Sequence, residues 1–331
     1  MKRFLDLASF SREQVLDLLA LAQALQDKPE PRALANKILG LVFFNPSLRT
    51  LASFQAGMAR LGGSAFVINP GLGTWQLETR PNAIMKGAAA EHIREGIPAL
   101  ASYCDVLGVR AFADGKSLDS DLNETLFGMI DKLCDKPLIN MESAMNHPCQ
   151  ALADWRTMDE LKIPSRAKFV LSWAYHPKAL PLAVPAATVH MAAMRGMEVV
   201  VLRPEGFALP EQVMEKARLA ASAAGGSVTE SADRAAALSG ASVVYAKEWG
   251  TTTYYGDVEA DSRLRADLSD WCVRERWFER ALPDAKFMHC LPVRRNVAVA
   301  DEILDGPRAL VKREAFNRLP VQMAVLHRML A

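Results

Sequence analysis

The chain has 331 residues, half of them hydrophobic, and a formal net charge of +1. That length suits about two domains of ~100–200 residues, each with apolar material for its own core. Near-neutral charge without a basic run interleaved with aromatics argues against nucleic acid or an anionic membrane as partner.

In chain order, Ser11 to Gln14 reads S-x-x-Q, a capping box, and Val15, Leu18, Leu19, Ala22 and Leu25 follow at helical spacing, which predicts a helix over 12–26. The run "KILGLVFF" (37–44) is a buried strand ending at Asn45-Pro46, and Leu51, Phe54, Met58 and Leu61 then start a helix near Ser47. Further buried strands are expected at 64–68, 104–109 and 136–141, with helices near 91–102 and 119–133. After a helix at about 148–162 and a plausible hinge at Ile163-Pro164-Ser165, strands are expected at 168–173, 197–202, 241–246 and 286–291. Helices near 183–194, 210–223 and 231–239 separate them, and the last 18 residues form another.

Strands alternating with helices imply an α/β protein with two doubly wound parallel-sheet domains. The expected division is 1–146 and 147–312, joined by a helix, with a C-terminal helix (313–331) packing back on the first domain. The start, "MKRFLDLASF", lacks the apolar core and cleavage site of a signal peptide, and no run approaches a membrane span, so a cytoplasmic protein is expected. The five cysteines are scattered without a C-x-x-C, which favours neither zinc nor disulfides. There is no G-x-G-x-x-G, no P-loop and no dense ligand cluster, so neither cofactor nor metal is expected.

Polar residues gather just past several strands, the edge where open α/β sheets bind ligands. Ser47, Arg49 and Thr50 stand where a strand gives way to a helix, and a helix N-terminus with a guanidinium suits phosphate. The plainer alternative is a capping serine beside a solvated arginine. Arg110 follows the strand at 104–109; Glu142 ends the strand at 136–141, with His147 and Gln150 at the next helix start. Cys290, Leu291 and Arg294 end the last strand; His176, Lys178 and Lys247 follow two others. Each alone has a dull explanation as cap, core thiol or surface cation. Glu142 is the lone acid among these cations and suits a substrate ammonium.

Read jointly, "SLRT" (47–50), "HPCQ" (147–150) and "HCLP" (289–292) resemble, in order, three motifs of the aspartate/ornithine transcarbamylase family. "GTWQLET" (73–79), "NMESAMNHPCQ" (140–150), "VVYAKEWG" (243–250) and "HCLPVRRN" (289–296) look like its acylornithine branch, and the D-x-x-x-S-M-G of ordinary ornithine enzymes is missing. The resemblance implies carbamoyl transfer from carbamoyl phosphate to the δ-amine of an N-acylornithine, in arginine biosynthesis. It implies that Ser47, Leu48, Arg49, Thr50 and Arg318 hold the phosphate. Arg110, His147, Gln150, Cys290 and Leu291 would surround the carbamoyl group, and Glu142 and Lys247 would hold the acylornithine. Arg49, Thr50, Arg110, His147 and Cys290 would carry the catalysis. Trp75 would reach a neighbouring subunit's site, implying a homotrimer.

Ala90 occupies the position that resembles a glutamate in N-acetylornithine enzymes and a proline in N-succinylornithine enzymes. A glutamate there would repel a succinyl carboxylate; alanine does not, and His176, Lys178 and Arg294 supply positive charge to receive it. The succinyl substrate is therefore favoured, the acetyl substrate second, then plain ornithine or a non-catalytic binding protein. Leu51 and Phe316 depart from the family pattern, in place of an arginine and a glutamate.

Overall fold

The strands are β1 (Arg3–Phe4), β2 (Ile38–Phe43), β3 (Ser64–Ile68), β4 (Leu77–Glu78), β5 (Glu91–His92), β6 (Val106–Arg110), β7 (Leu138–Glu142), β8 (Lys168–Trp173), β9 (Glu198–Leu202), β10 (Ser227–Ser231), β11 (Val243–Lys247) and β12 (Lys286–Met288). The α-helices are α1 (Arg12–Asp27), α2 (Leu48–Arg60), α3 (Ile93–Ser102), α4 (Leu118–Leu122), α5 (Thr125–Leu133), α6 (Pro148–Glu160), α7 (Ala183–Arg195), α8 (Glu211–Ala224), α9 (Arg234–Leu238), α10 (Val258–Arg265), α11 (Asp301–Leu304) and α12 (Val311–Leu330). The computed structural model describes residues 1–331. It divides into one unit of Met1–Asp114, Asp119–Cys149 and Arg318–Ala331, and a second of Gly115–Leu118 and Gln150–Asn317; the last two cuts fall inside α6 and α12.

The first unit holds a parallel sheet in the order β1-β7-β6-β2-β3. β2 lies between β6 and β3 and buries five of its six residues, the pattern of a strand covered on both faces. The strand order reverses between β2 and β6, so the ligand crevice of this topology opens past Phe43 and Arg110. Ser11 caps α1 as its capping box requires, with Ser11 N donating to Gln14 Oε1 at 2.8 Å and Gln14 N to Ser11 Oγ at 3.2 Å. The far half of α12 belongs to this unit. Gly57 of α2 faces Leu319, Met323 and Leu326 of α12, and a Cβ there would stand 3.4 Å from Met323 Cγ.

The second unit repeats the plan in the order β10-β9-β8-β11-β12, again all parallel. Its reversal lies between β8 and β11, past Trp173 and Lys247. Gly196 (φ 93) and Gly225 (φ 74) end α7 and α8 in the left-handed conformation that glycine adopts without strain.

Some elements differ from expectation. β10 is absent from the apolar pattern because it is an edge strand with only Val228 buried. The helix expected over 119–133 is two helices, broken where Glu124 takes φ 48, ψ 41. The last strand stops at Met288, because the backbone then turns: Leu291 N donates to His289 Nδ1 at 2.9 Å, and Leu291 sits at φ 59 before a cis Pro292. No helix is long and apolar enough to cross a membrane, and no group of three or more His, Cys, Asp or Glu is disposed to hold a metal ion.

Candidate active site

In the first unit, the chain leaves β2 at Phe43 and is pinned at once: Phe44 N donates to Arg110 O at 2.9 Å, and Phe112 N to Asn45 Oδ1 at 2.8 Å. Ser47 then caps α2, its Oγ accepting from Thr50 N at 3.3 Å and donating to Thr50 Oγ1 at 2.9 Å. Arg318 Nη2 donates to the same Thr50 Oγ1 at 2.7 Å. A hydroxyl that accepts twice has both lone pairs occupied, so the Thr50 O–H is left to donate. Leu48 is 81% exposed, and what it can offer an anion is its backbone N–H at the helix start, not its side chain.

Beside this lies a second cluster. Buried Arg110, at the end of β6, pairs closely with buried Glu142, at the end of β7, and His147 Nε2 is 3.4 Å from the same Glu142 oxygen. The Arg110 guanidinium lies 4.5 Å over the Phe112 ring. The carboxylate that the sequence offers to an ammonium is thus engaged by Arg110.

Burial, then the charges of Arg318, Arg110 and Arg49, hold the His147 imidazole well below the usual histidine range, so it is neutral at pH 7. Its Nδ1 is buried and has no protein partner. Burial first, then Arg110 and Arg49, draw Arg318 down to about 10, still protonated at neutral pH. Three guanidiniums, a helix N-terminus and a hydroxyl donor, against one carboxylate already paired, make a seat for a dianion.

Trp75 and Ala90 lie in the exposed stretch around β4 and β5. The parallel pairing of Leu77 with Glu91 brings them together, with Ala90 N donating to Gln76 O at 3.3 Å and Trp75 Nε1 to Glu91 Oε2 at 2.7 Å. Trp75 is 61% exposed, and Leu72, Ile84 and Met85 of the same stretch are exposed too.

In the second unit the polar groups again follow the strands at the reversal. Lys247, at the end of β11, donates to Glu248 Oε2 at 2.8 Å, and His289 Nε2 is 3.4 Å from Glu248 Oε1. Burial alone would raise the Glu248 carboxyl, but Lys247 and His289 overwhelm it and hold it far below the usual carboxylate range. Past β8, Arg294 Nε donates to His176 Nε2 at 2.9 Å, and His176 Nδ1 lies 2.9 Å from Lys178 O and 3.0 Å from Lys178 N. Burial draws His176 below its ordinary value, Lys178 O and Glu248 oppose it, and Arg294 and Lys247 add to it. A neutral His176 therefore orients Arg294, while Lys178 is exposed. Buried Gln150 donates to Asp154 Oδ1 at 2.7 Å and keeps Oε1 without a protein donor. Cys290 is buried and Leu291 half-buried on the turn that His289 forms.

The comparisons with known proteins bear on this geometry. Residues 2–160 match "Aspartate/ornithine carbamoyltransferase, carbamoyl-P binding domain", and 184–329 match "Aspartate/ornithine carbamoyltransferase, Asp/Orn binding domain". The chain belongs to the aspartate/ornithine carbamoyltransferase family. Within that family it falls in the acylornithine branch, and it is a carbamoyltransferase.

It is 38% identical to the N-acetylornithine carbamoyltransferase of Xanthomonas campestris pv. campestris over 331 residues, covering 98% of this chain and 97% of that one. It is 36% identical to the N-succinylornithine carbamoyltransferase of Bacteroides thetaiotaomicron over 297 residues, covering 89% and 88%. Among solved structures, it superposes with a TM-score of 0.95 and 37% identity on an N-acetyl-L-ornithine transcarbamylase mutant, covering 99% and 100%. That mutant has one glutamate replaced by alanine and is complexed with carbamyl phosphate and N-succinyl-L-norvaline.

Motif matching in this carbamoyltransferase left several residues unmarked. Buried Arg265 and Asp261 pair on α10; Arg265 Nη1 donates to His176 O at 2.9 Å and Lys178 O at 3.2 Å, holding that turn. Arg265 stands in a charged segment, "EADSRLR", where nothing in the pattern signals burial. Asp154 also accepts from Tyr245 OH at 3.0 Å, and Glu314 accepts from His289 N at 3.0 Å. The Phe316 departure is harmless here, since Phe316 is 44% exposed while Asn317 donates to Thr157 Oγ1 and Glu160 Oε2, both at 2.9 Å.

Proposed function

We propose that this carbamoyltransferase moves the carbamoyl group of carbamoyl phosphate to the δ-amine of an N-acylornithine, with N-succinyl-L-ornithine as the preferred acceptor, giving N-acylcitrulline and phosphate for arginine biosynthesis. The observation that carries the succinyl assignment is Ala90. The N-acetylornithine enzyme whose glutamate was exchanged for alanine was complexed with a succinyl amino acid, and Ala90 resembles that exchange. A methyl group neither repels a second carboxylate nor fills the space of its extra carbons.

In the first unit, Ser47, the Leu48 N–H, Arg49 and Arg318 hold the phosphate. Thr50 and Arg110 donate to the carbamoyl oxygen as it gains charge in the tetrahedral intermediate. Neutral His147 accepts from the carbamoyl amide through Nδ1. The second unit takes the acylornithine: Lys247 receives the α-carboxylate, and Arg294, oriented by His176, receives the succinyl carboxylate with Lys178. Gln150, Cys290 and Leu291 offer oxygen acceptors to N–H groups of the reactants; Glu142 keeps Arg110 aligned. The δ-amine, with an ordinary pKa of ~10.4, must be neutral before attack; we assign the departing phosphate as acceptor of the further proton that the nitrogen sheds as its bond to the carbamoyl carbon forms and the bond from that carbon to the phosphate oxygen breaks. Trp75 and the exposed apolar residues around it support a trimer in which this stretch serves a neighbouring site.

A second reading, N-acetyl-L-ornithine as acceptor, is favoured by the longer match to the Xanthomonas enzyme. One assay presenting ornithine, N-acetylornithine and N-succinylornithine side by side separates them, with the largest kcat/KM expected for the succinyl compound. Ala90→Glu should reverse the succinyl-to-acetyl ratio. Equal ratios in wild type and variant would remove Ala90 from the account.

A further inference from the structure

We propose that Glu124 is the positioning residue for His147. Resting on the reading that His147 faces the carbamoyl group, it adds a residue that touches neither substrate. The six-residue path from Glu142 to His147 must bring both side chains to one place, yet Ser143–Asn146 has no regular structure to hold it. What holds it is one carboxylate. Glu124 Oε1 accepts from Ser143 Oγ at 2.5 Å, Met145 N at 3.0 Å and Asn146 Nδ2 at 3.0 Å, while Oε2 accepts from Ala144 N at 3.1 Å.

The turn closes on itself through Ser143 N donating to Asn146 O at 2.9 Å, and Asn140 Nδ2 anchors Ser143 Oγ at 2.8 Å. The Ser143, Ala144 and Met145 N–H groups, the Ser143 hydroxyl and the Asn146 side-chain amide are therefore directed at Glu124 or back into the turn, and the next residue is His147. Glu124 itself occupies the left-handed region, φ 48, at the head of α5. A non-glycine residue there is strained and persists where its surroundings over-determine it. The four donors are neutral, so the carboxylate orders the turn by hydrogen bonds and not by an ion pair.

Full-length Glu124→Gln, Glu124→Asp and Glu124→Ala test the assignment through three readouts: carbamoyl transfer, titration with inorganic phosphate, and NMR of 15N-labelled histidine. The amide of Gln sets an N–H2 against donors, so Gln and Ala should each lower kcat by at least about tenfold, as a reacting group misplaced by a fraction of an ångström does. Asp should recover part of the loss. Phosphate affinity should hold, and the His147 ring resonances should move.

A folded Ala or Gln variant with wild-type kcat, or an unmoved His147 signal, overturns the proposal; so does phosphate affinity falling in step with kcat, which marks a general brace. Should the Ala variant not fold, the Gln variant decides. Wild-type protein without carbamoyl transfer would instead sink the functional reading, and the His147 resonances would still decide the role of Glu124.

Discussion

Thr50 shows how much one hydroxyl can be asked to do. Its oxygen accepts from Ser47 and from Arg318, at 2.9 and 2.7 Å, which leaves a single O–H with a fixed direction. Valine has the same shape and no donor. Thr50→Val should lower kcat by about 10²–10³, the usual cost of one oxyanion donor, with an unchanged far-UV circular dichroism spectrum. A variant retaining full kcat would transfer that role elsewhere. Cys290, by contrast, shares a turn with His289, whose Nδ1 is occupied by Leu291 N, so the turn presents the thiol without an imidazole lone pair to activate it.

At the scale of elements, the turn after β12 is held from beneath by the first turns of α12. Glu314 accepts from His289 N through Oε2, while its buried Oε1 finds no donor among the protein's groups and Asp154 is its charged neighbour. Burial, then Asp154, push the Glu314 carboxyl well above its ordinary value. The folded pKa is raised. Glu314 therefore contributes stability that is complete below about 4.5 and is lost as pH rises through the folded value.

Glu314→Gln keeps the acceptor for His289 and supplies a permanent N–H2 for Asp154. The melting temperature of that variant should gain on wild type as pH is raised from 5 to 8, and activity should persist. A parallel pH dependence in both proteins would mean that Glu314 is already ionised. The same kind of support appears on α10, where Arg265 gathers two carbonyls of the 176–178 turn.

Over the whole molecule, a net charge of +1 conceals a local excess: Arg49, Arg110 and Arg318 lie close enough together to depress His147. Repulsion among them is relieved when an anion arrives. Inorganic phosphate or carbamoyl phosphate at 100 times its Kd should raise stability by about 2.7 kcal/mol, read as an increase in Tm. Arg49→Ala should abolish most of that rise while the unliganded Tm holds or increases. A full phosphate shift in that variant would take Arg49 out of the anion seat.

Acid has its own effect through His147. Its folded pKa is lowered, so the unfolded chain takes up a proton that the folded chain refuses, and stability falls by up to about 1.4 kcal/mol per pH unit below ~6.5.

Much of this was legible along the chain because periodicity and strand-end chemistry are local. The run "ILGLVF" reads as a covered strand, and "NPSLRT" as the start of a helix with a hydroxyl cap, from neighbouring residues alone. Two parallel sheets, a helix returning to the first unit, and the groups at the strand ends follow from that pattern. Edge strand β10 did not show, since only one of its side chains is buried. What only tertiary structure decided is which polar group meets which. Thr50 and Arg318 are 268 residues apart, Glu124 lies 19 to 22 residues from the turn that it holds, and Asp154 meets Tyr245 across 91. Hydrogen bonds depend on distances of a few ångströms, and a linear pattern carries direction and burial but not those distances.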